Sequence, residues 1–580
     1  MTYQDDATAA SSESNTITPS ETSSLLGGKS LDGEGDNHKY GSVEEPRDPE
    51  SGVVTTPRIA AAAGQEGEGR RYSNAFIART VVALLIGTFT TNADGSLVLA
   101  THPVIGSEFN DLENSSWLFI GFMLAGLATQ SLYGKLSDIF GRKPLLLLCY
   151  GLFAIGCAIS SGVGQSLWQV IIGRVVSGSG SAGMTVLVAL IITDLAPLRE
   201  VAAWQSYLNI VSTTGRSIGG PLGGWLTDTI GWRWSFLGQA PIFAAATLIC
   251  WFVLPPLKPE SNTTSDGRLS KKLGRIDFTG AALLGLGIFA LMLPAEIGGS
   301  RLPWSHPLIL GLFVTGALLL GLFFLVEKNW AREPIFPVRL LHNKNAVLCF
   351  IINGCQMSAQ LSMMYSVPLY FQVTQRTSST IAGAHLFPAV VGNTIGALAV
   401  GHVIKKTGRY KALIIFATAA GMLCYSLLIL RWQGNTNWAE SMYIIPGGLG
   451  TGMAQTAVFI ALQASIEPKD RSSATSALFL IGPMATTIIM AIGSALIVAG
   501  LRDGLFVRLT ALGLGADAIQ EAIASAAADV AYLDRAPPLI AKAAVESYVE
   551  GIEYSHYVSL ACSTLGLVAA LFLKEKALRR

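Results

Sequence analysis

The chain is 580 residues long, enough for several soluble domains, yet 51% of it is hydrophobic and only 14% is charged, against about 25% charged in ordinary soluble proteins. That balance describes an all-α polytopic membrane protein, and a formal net charge of +1 without a basic block excludes nucleic acid as the natural partner. The seven cysteines lie almost entirely inside apolar runs and show no CxxC spacing, so neither a disulfide framework nor a zinc site is expected.

Residues 1–70 carry thirteen acids against five bases and almost no aromatics, too little apolar surface to bury a core, which predicts a disordered cytoplasmic tail. They lack the basic, apolar and cleavage regions of a signal peptide, so the first spanning helix must direct insertion. Within them, Glu21-Thr-Ser-Ser-Leu25-Leu26 has the E-x-x-x-L-L spacing of an acidic dileucine sorting signal, read by adaptor complexes on routes to lysosomes and vacuoles. The alternative is a chance pattern in a polar tail.

A helix needs about 20 apolar residues to cross the hydrocarbon. Fourteen stretches qualify, with cores near 77–100, 116–133, 144–162, 167–193, 203–227, 233–254, 278–297, 307–326, 346–372, 380–403, 412–431, 441–465, 475–500 and 555–573. An even number places both termini on one side. The loops that this count puts inside hold Lys135, Arg142 and Lys143, Arg199, Lys258 to Arg275, Arg332 to Lys344, Lys405 to Lys411, and Lys469 and Arg471. The intervening loops are nearly free of Lys and Arg up to residue 502, so that side is predicted to be the cytoplasm. The segment 501–554 is then luminal. Helical spacing from 516 and from 541, separated by Pro537 and Pro538, predicts short interfacial helices there. Asn114-Ser-Ser116 is a glycosylation sequon close to the second span.

One short stretch organises the rest. Gly134-Lys-Leu-Ser-Asp138-Ile-Phe-Gly141-Arg142-Lys143-Pro144 is a charged, glycine-punctuated turn wedged between two apolar runs, in which Asp138 can pair with Arg142 or cap a helix. It resembles the signature loop of the major facilitator superfamily, G-x-x-x-D-x-x-G-R-[RK]. An echo, Gly401-His-Val-Ile-Lys405-Lys406-Thr-Gly408-Arg409, stands between spans 10 and 11, as a parallel-repeat transporter requires. The layout resembles the fourteen-helix drug:proton antiporter branch. It implies a 6+2+6 arrangement, with a first six-helix bundle over 76–254, loops and two extra helices over 255–340, and a second bundle over 345–574.

Ionisable groups at membrane depth are costly and therefore mark candidate function. Asp94 sits in span 1, past the bilayer centre. Its surroundings resemble the branch pattern L-D-x-T-I-V-x-x-A, with Ala93 and Ser96 at two altered positions; a desolvated carboxylate suits reversible protonation, or is simply held by an Arg. Arg174 reaches a similar depth in span 4, where the family has an R-x-x-x-G motif. An Arg keeps its proton, so its role is to bias a neighbouring acid, with Asp94 the candidate, or to form a structural ion pair. Arg216 lies in Gly215-Arg216-Ser-Ile-Gly219-Gly220-Pro221-Leu-Gly223-Gly224, which resembles the antiporter motif G-x-x-x-G-P-x-x-G-G. The small residues permit tight helix crossing, and the guanidinium can hold a carboxylate through two parallel hydrogen bonds. By resemblance, Asp194 joins Asp138 and Arg142 in a charge network that locks the outward-facing state. Asn353, Gln356 and Gln360 are spaced to share a helix face and are candidates to line a cavity, the alternative being helix packing; His385 and Tyr365 are further polar positions.

No GxSxG, Walker or HExxH pattern occurs, so an enzyme is not expected and any pumping must run on an ion gradient. Four stretches, Ile105-Gly-Ser-Glu-Phe-Asn110, Ser116-Trp-Leu118, Gln130 to Lys143 and Gly231-Trp-Arg-Trp-Ser-Phe236, resemble fungal vacuolar basic amino acid transporters. The likeness implies exchange of lysine, arginine or histidine for protons at the vacuolar membrane. In that scheme Arg216 holds the substrate carboxylate, and Asp94 alternates between a proton and the cationic end. The substrate, protons, the bilayer and a sorting adaptor are then the partners, with no cofactor. The alternatives are a plasma-membrane exporter of drugs or toxins, and a non-transporting nutrient sensor on a transporter scaffold.

Overall fold

The structure is a computed structural model that describes residues 72–111, 114–163, 165–255, 277–298, 302–330, 334–528, 530 and 532–578. The described residues are helical, with one isolated bridge between Gly298 and Leu302. The dileucine pattern and the basic residues 258–275 lie outside them.

The first group of helices is α1 (Asn74–Glu108), α2 (Trp117–Phe140), α3 (Arg142–Ala158), α4 (Leu167–Leu195), α5 (Leu198–Thr229), α6 (Trp232–Leu237) and α7 (Gln239–Val253). A hairpin follows, α8 (Phe278–Ile297) and α9 (Pro307–Asn329), then the short α10 (Arg339–His342). The second group is α11 (Lys344–Gln375), α12 (Ser379–Ala384), α13 (Phe387–Thr407), α14 (Lys411–Arg431), α15 (Ile445–Ser465), α16 (Arg471–Ala511), α17 (Ala516–Ala528), α18 (Tyr532–Arg535) and α19 (Pro538–Phe572).

Each of the fourteen candidate stretches falls on a helix or a kinked helix pair. Among the described residues, thirteen of these are long and apolar enough to cross a membrane. The exception is α5, whose Gln205, Asn209 and Arg216 dilute its hydropathy. The same residues turn out to line the central cavity, so α5 is polar because one of its faces is wet rather than oily.

Glycines set the closest crossings. A Cβ on Gly215 would lie 2.7 Å from the Phe89 carbonyl oxygen, one on Gly223 would lie 2.9 Å from the Leu97 side chain, and one on Gly219 would run into the Ala93 backbone. These three positions, four apart, seat α5 on α1. Gly220 has room, and Gly224 meets nothing within 4 Å. The packing residues are therefore Gly215, Gly219 and Gly223, a set that the antiporter pattern only partly coincides with.

The long segment after residue 500 differs from expectation. Short interfacial helices were expected across 501–554; the one from 516 is present as α17, but α16 continues to Ala511, and the one expected from 541 is the start of α19, which begins at Pro538. At 1.5 Å per residue, 41 residues of α16 extend about 60 Å, twice the hydrocarbon thickness. The two extensions hold each other: Arg508 reaches Glu550 at 3.1 Å and Glu546 at 3.3 Å, and the chains meet where Gly500 faces Gly551. A proline pair at a helix start is compatible with the first turn, which needs no donor there.

The α8–α9 hairpin lies against the seam between the groups, with α8 touching both α2 and α16. Gly285 brings it close to the Ala128 carbonyl. After α19, residues 573–578 run back over the turn end of the second group. Lys574 exchanges two hydrogen bonds with Asn345, and Glu575 accepts from the Tyr410 and Lys411 amides that start α14.

Candidate functional site

The signature turn and its echo place glycines where the two groups touch. Gly141 and Gly408 have φ of +94° and +70°, a region that side chains with a Cβ disfavour. Seven residues earlier in each repeat, Gly134 of α2 packs on α16, where a Cβ would lie 2.8 Å from the Ser472 carbonyl, and Gly401 of α13 packs on Ala203 of α5. At this end Arg142 is 8% exposed. It donates to Asp138 at 2.8 Å and Asp194 at 3.0 Å, to Ser137, and across the groups to Ser472 at 2.9 Å. Ser472 in turn donates to Asp138 at 2.6 Å. Arg199 of α5 crosses too, donating twice to the Leu578 carbonyl at 3.0 and 2.8 Å. Lys143 instead caps the end of α7, through the Trp251 and Leu254 carbonyls.

Further from the turns, Asn209 donates to the Gly452 carbonyl at 3.4 Å, and Thr213 donates to Asn393 at 3.2 Å. Between these contacts and the first-group helices lies a cavity of about 320 Å³. Its wall comes from α1, α2, α4 and α5 on one side and α11, α15 and α16 on the other. Asn92, Gln130, Gln205, Asn209, Asn353 and Gln455 contribute amides, set among Phe122, Met123, Met184, Met357, Phe459 and Phe479. Arg216 is the one charged side chain on the wall among the described residues. It is partly exposed and faces a second, smaller cavity with Gln360 and Asn393 as well. No carboxylate pairs with it among the described residues, so a guanidinium with free donors points into a space open to solute.

Asp94 and Arg174 meet, but not in that space. Both side chains are 0% exposed, and Arg174 Nη1 donates to Asp94 Oδ2 at 2.7 Å. Gln239 Nε2 donates to the other carboxylate oxygen at 2.9 Å, and Arg174 Nε to the Leu118 carbonyl at 3.3 Å. The guanidinium stacks 4.3 Å from the Phe122 ring and 5.5 Å from that of Phe236. Two buried atoms, Arg174 Nη2 and Gln239 Oε1, have no hydrogen-bond partner. Asp94 is not on the cavity wall, and its carboxylate is held by Arg174 and Gln239 with none of it exposed, so in this conformation it does not touch a solute in that space.

Two of the stretches that carried the resemblance meet each other at the far end of α1. Glu108 accepts from Trp232 Nε1 at 2.5 Å and Arg233 at 2.6 Å, and Phe109 packs edge-on against Trp232. Residues 84–494 match the sequence profile of the Major Facilitator Superfamily. The chain belongs to that superfamily. Among members of this superfamily, it is 29% identical over 575 residues, 98% of this chain and 97% of the relative, to the vacuolar membrane amino acid uptake transporter fnx2 of Schizosaccharomyces pombe. It is 35% identical over 402 residues, 69% of this chain and 74% of the relative, to the multidrug resistance protein fnx1 of the same yeast. The superfamily's proton:xylose symporter XylE superposes with a TM-score of 0.55 at 14% identity, covering 87% of this chain and 98% of its own, a likeness of fold alone.

Of the second-group positions, Asn353 lines the large cavity and Gln360 the small one, but Gln356 lines neither. It turns toward Gly421 and Gly566, on α14 and α19, because 356 lies about 60° round the helix from 353 and about 40° from 360. His385 is packed away, stacked 3.6 Å from Phe371 and bonded to Ser441, and Tyr365 points outward. Sequence reasoning missed Gln239, Phe122, Ser472 and Gln455. Only the i, i+4 placement of Ser235 and Gln239 after a quoted motif hinted at the first.

Proposed function

We propose that this major facilitator transporter is a proton-coupled antiporter that moves amino acids, basic ones foremost, across the vacuolar membrane by alternating access. Six-helix halves over 76–254 and 345–574 rock about the central cavity, with the turn ends and both termini in the cytoplasm. The observation that carries the reading is the unpaired Arg216 in a cavity between the halves. A guanidinium offers a carboxylate two parallel hydrogen bonds. Amide and hydroxyl oxygens, rather than an acid, would receive the ammonium groups. A volume of about 320 Å³ is at the low end of small-molecule pockets, about 300 to 1,000 Å³, which favours a compact solute. The vacuolar assignment draws on the amino acid uptake relative and on Glu21, Leu25 and Leu26.

Counterflow of labelled lysine, arginine and histidine into reconstituted vesicles, under an imposed pH gradient, tests this. Uptake should fall at least tenfold in Arg216→Gln and recover in part in Arg216→Lys. Wild-type uptake in Arg216→Gln would refute the carboxylate site. A second reading, an exporter of hydrophobic drugs from the plasma membrane, has its own support in the methionines and phenylalanines of the wall and in the multidrug relative. Residence of the tagged protein at the cell surface, with drug-stimulated proton movement and no amino acid counterflow, would favour it.

A further inference from the structure

The cavity and the buried ion pair share a side chain, Phe122. Leu118, Phe122, Phe236 and Gln239 touch Asp94 or Arg174, and of these four Phe122 also lines the cavity. Phe122 as a whole is 8% exposed. One face of its ring lies against the guanidinium at 4.3 Å. Its backbone is fixed by Gly178 of α4, where even a Cβ would run into the Phe122 carbonyl, so the wall moves by side-chain rotation before it moves by helix displacement.

We propose that Phe122 is the gate between the solute cavity and the Asp94–Arg174 pair, and that its swing couples protonation to solute occupancy. The inference rests on the proton-coupled reading above. With the ring in place, water in the cavity cannot reach the carboxylate. When the ring turns away, a proton from cavity water binds Asp94 Oδ2, the oxygen now held by Arg174 Nη1. Arg174 keeps its own proton and charge, loses its counter-ion, and turns toward new acceptors. The site of proton binding and the site of solute binding then communicate through one aromatic side chain, without a shared carboxylate. The cation–π contact gives the closed position a specific hold on the ring, which an aliphatic side chain cannot supply.

The test is proton flux in vesicles holding a pH-sensitive dye, with and without solute. Phe122→Ala should admit protons without solute at a rate at least tenfold above wild type, and should carry fewer solutes per proton. Phe122→Tyr keeps the ring and should stay coupled, and Phe122→Leu should leak to an intermediate degree. In an Asp94→Asn, Arg174→Gln background the leak should vanish. The gate is overturned if Phe122→Ala and Phe122→Leu transport solute tightly coupled, or if the leak persists without Asp94. If wild-type protein moves solute with no accompanying proton flux, it is the coupled reading that fails, and the gate falls with it.

Discussion

Replacing Asp94 by Asn removes the counter-ion of an arginine that has no water to turn to. Both groups are 0% exposed, and breaking a buried pair by neutralising one partner costs about 3–5 kcal/mol, because the remaining charge is uncompensated. Asparagine keeps an oxygen that can accept from Arg174, and the Leu118 carbonyl and two aromatic faces remain in place, so the expected loss is at the lower end, about 3 kcal/mol. Asp94→Ala, which also strands the Gln239 amide, should reach the upper end. Removing both charges, as in Asp94→Asn with Arg174→Gln, should recover most of the loss, since a buried pair replaced by neutral groups is often nearly neutral. Denaturant titration in mixed micelles, read by tryptophan fluorescence, measures all four corners of the cycle. A single Asp94→Asn variant within about 0.5 kcal/mol of the parent, roughly the scatter of surface substitutions, would show that the carboxylate is not the neutralising partner of Arg174.

Two further outcomes follow from particular contacts. Gly219→Ala drives a methyl into the Ala93 backbone and should destabilise by about 1–3 kcal/mol, whereas Gly224→Ala, with open space around it, should be neutral or gain up to about 1 kcal/mol in helix propensity; equal losses at both sites would contradict the α1–α5 crossing. Arg199→Gln removes two donations to the Leu578 carbonyl. Spin labels on the two halves at the turn end should then report a roughly fivefold larger open population, about 1 kcal/mol for a half-buried charged hydrogen bond, and an unchanged distance distribution would assign the segment 573–578 no part in closure.

The all-helical class and the position of the two turns were legible because lipid forces long apolar runs, and because Gly141 and Gly408 occupy backbone conformations that other residues resist. The pairing of Asp94 with Arg174 could be read from equal depth. What could not be read was the direction each side chain takes. Asn92 and Asp94 are two residues apart, but 100° of rotation per residue sets them about 160° apart round the helix, the first on the cavity wall and the second buried in the protein. Gln356 escaped for the same reason. The far-end helices were legible as periodic segments, but length alone could not tell a separate interfacial helix from the projecting end of a spanning one. Ser472, 334 residues from Asp138, belongs to a cross-group contact that local spacing does not encode.

The extra hairpin changes the mechanics of any swing. In the alternating-access cycle proposed above, opening the turn end would pull α2 away from α16, and because α8 rests on both it would have to let go of one of them. In water, such a parting would expose greasy surface at a steep cost. In the bilayer, acyl chains slide into the vacated groove and are as apolar as the leucines they replace. In that cycle the hairpin would be a bearing lubricated by its solvent, with bilayer fluidity and tail length setting how readily it slides.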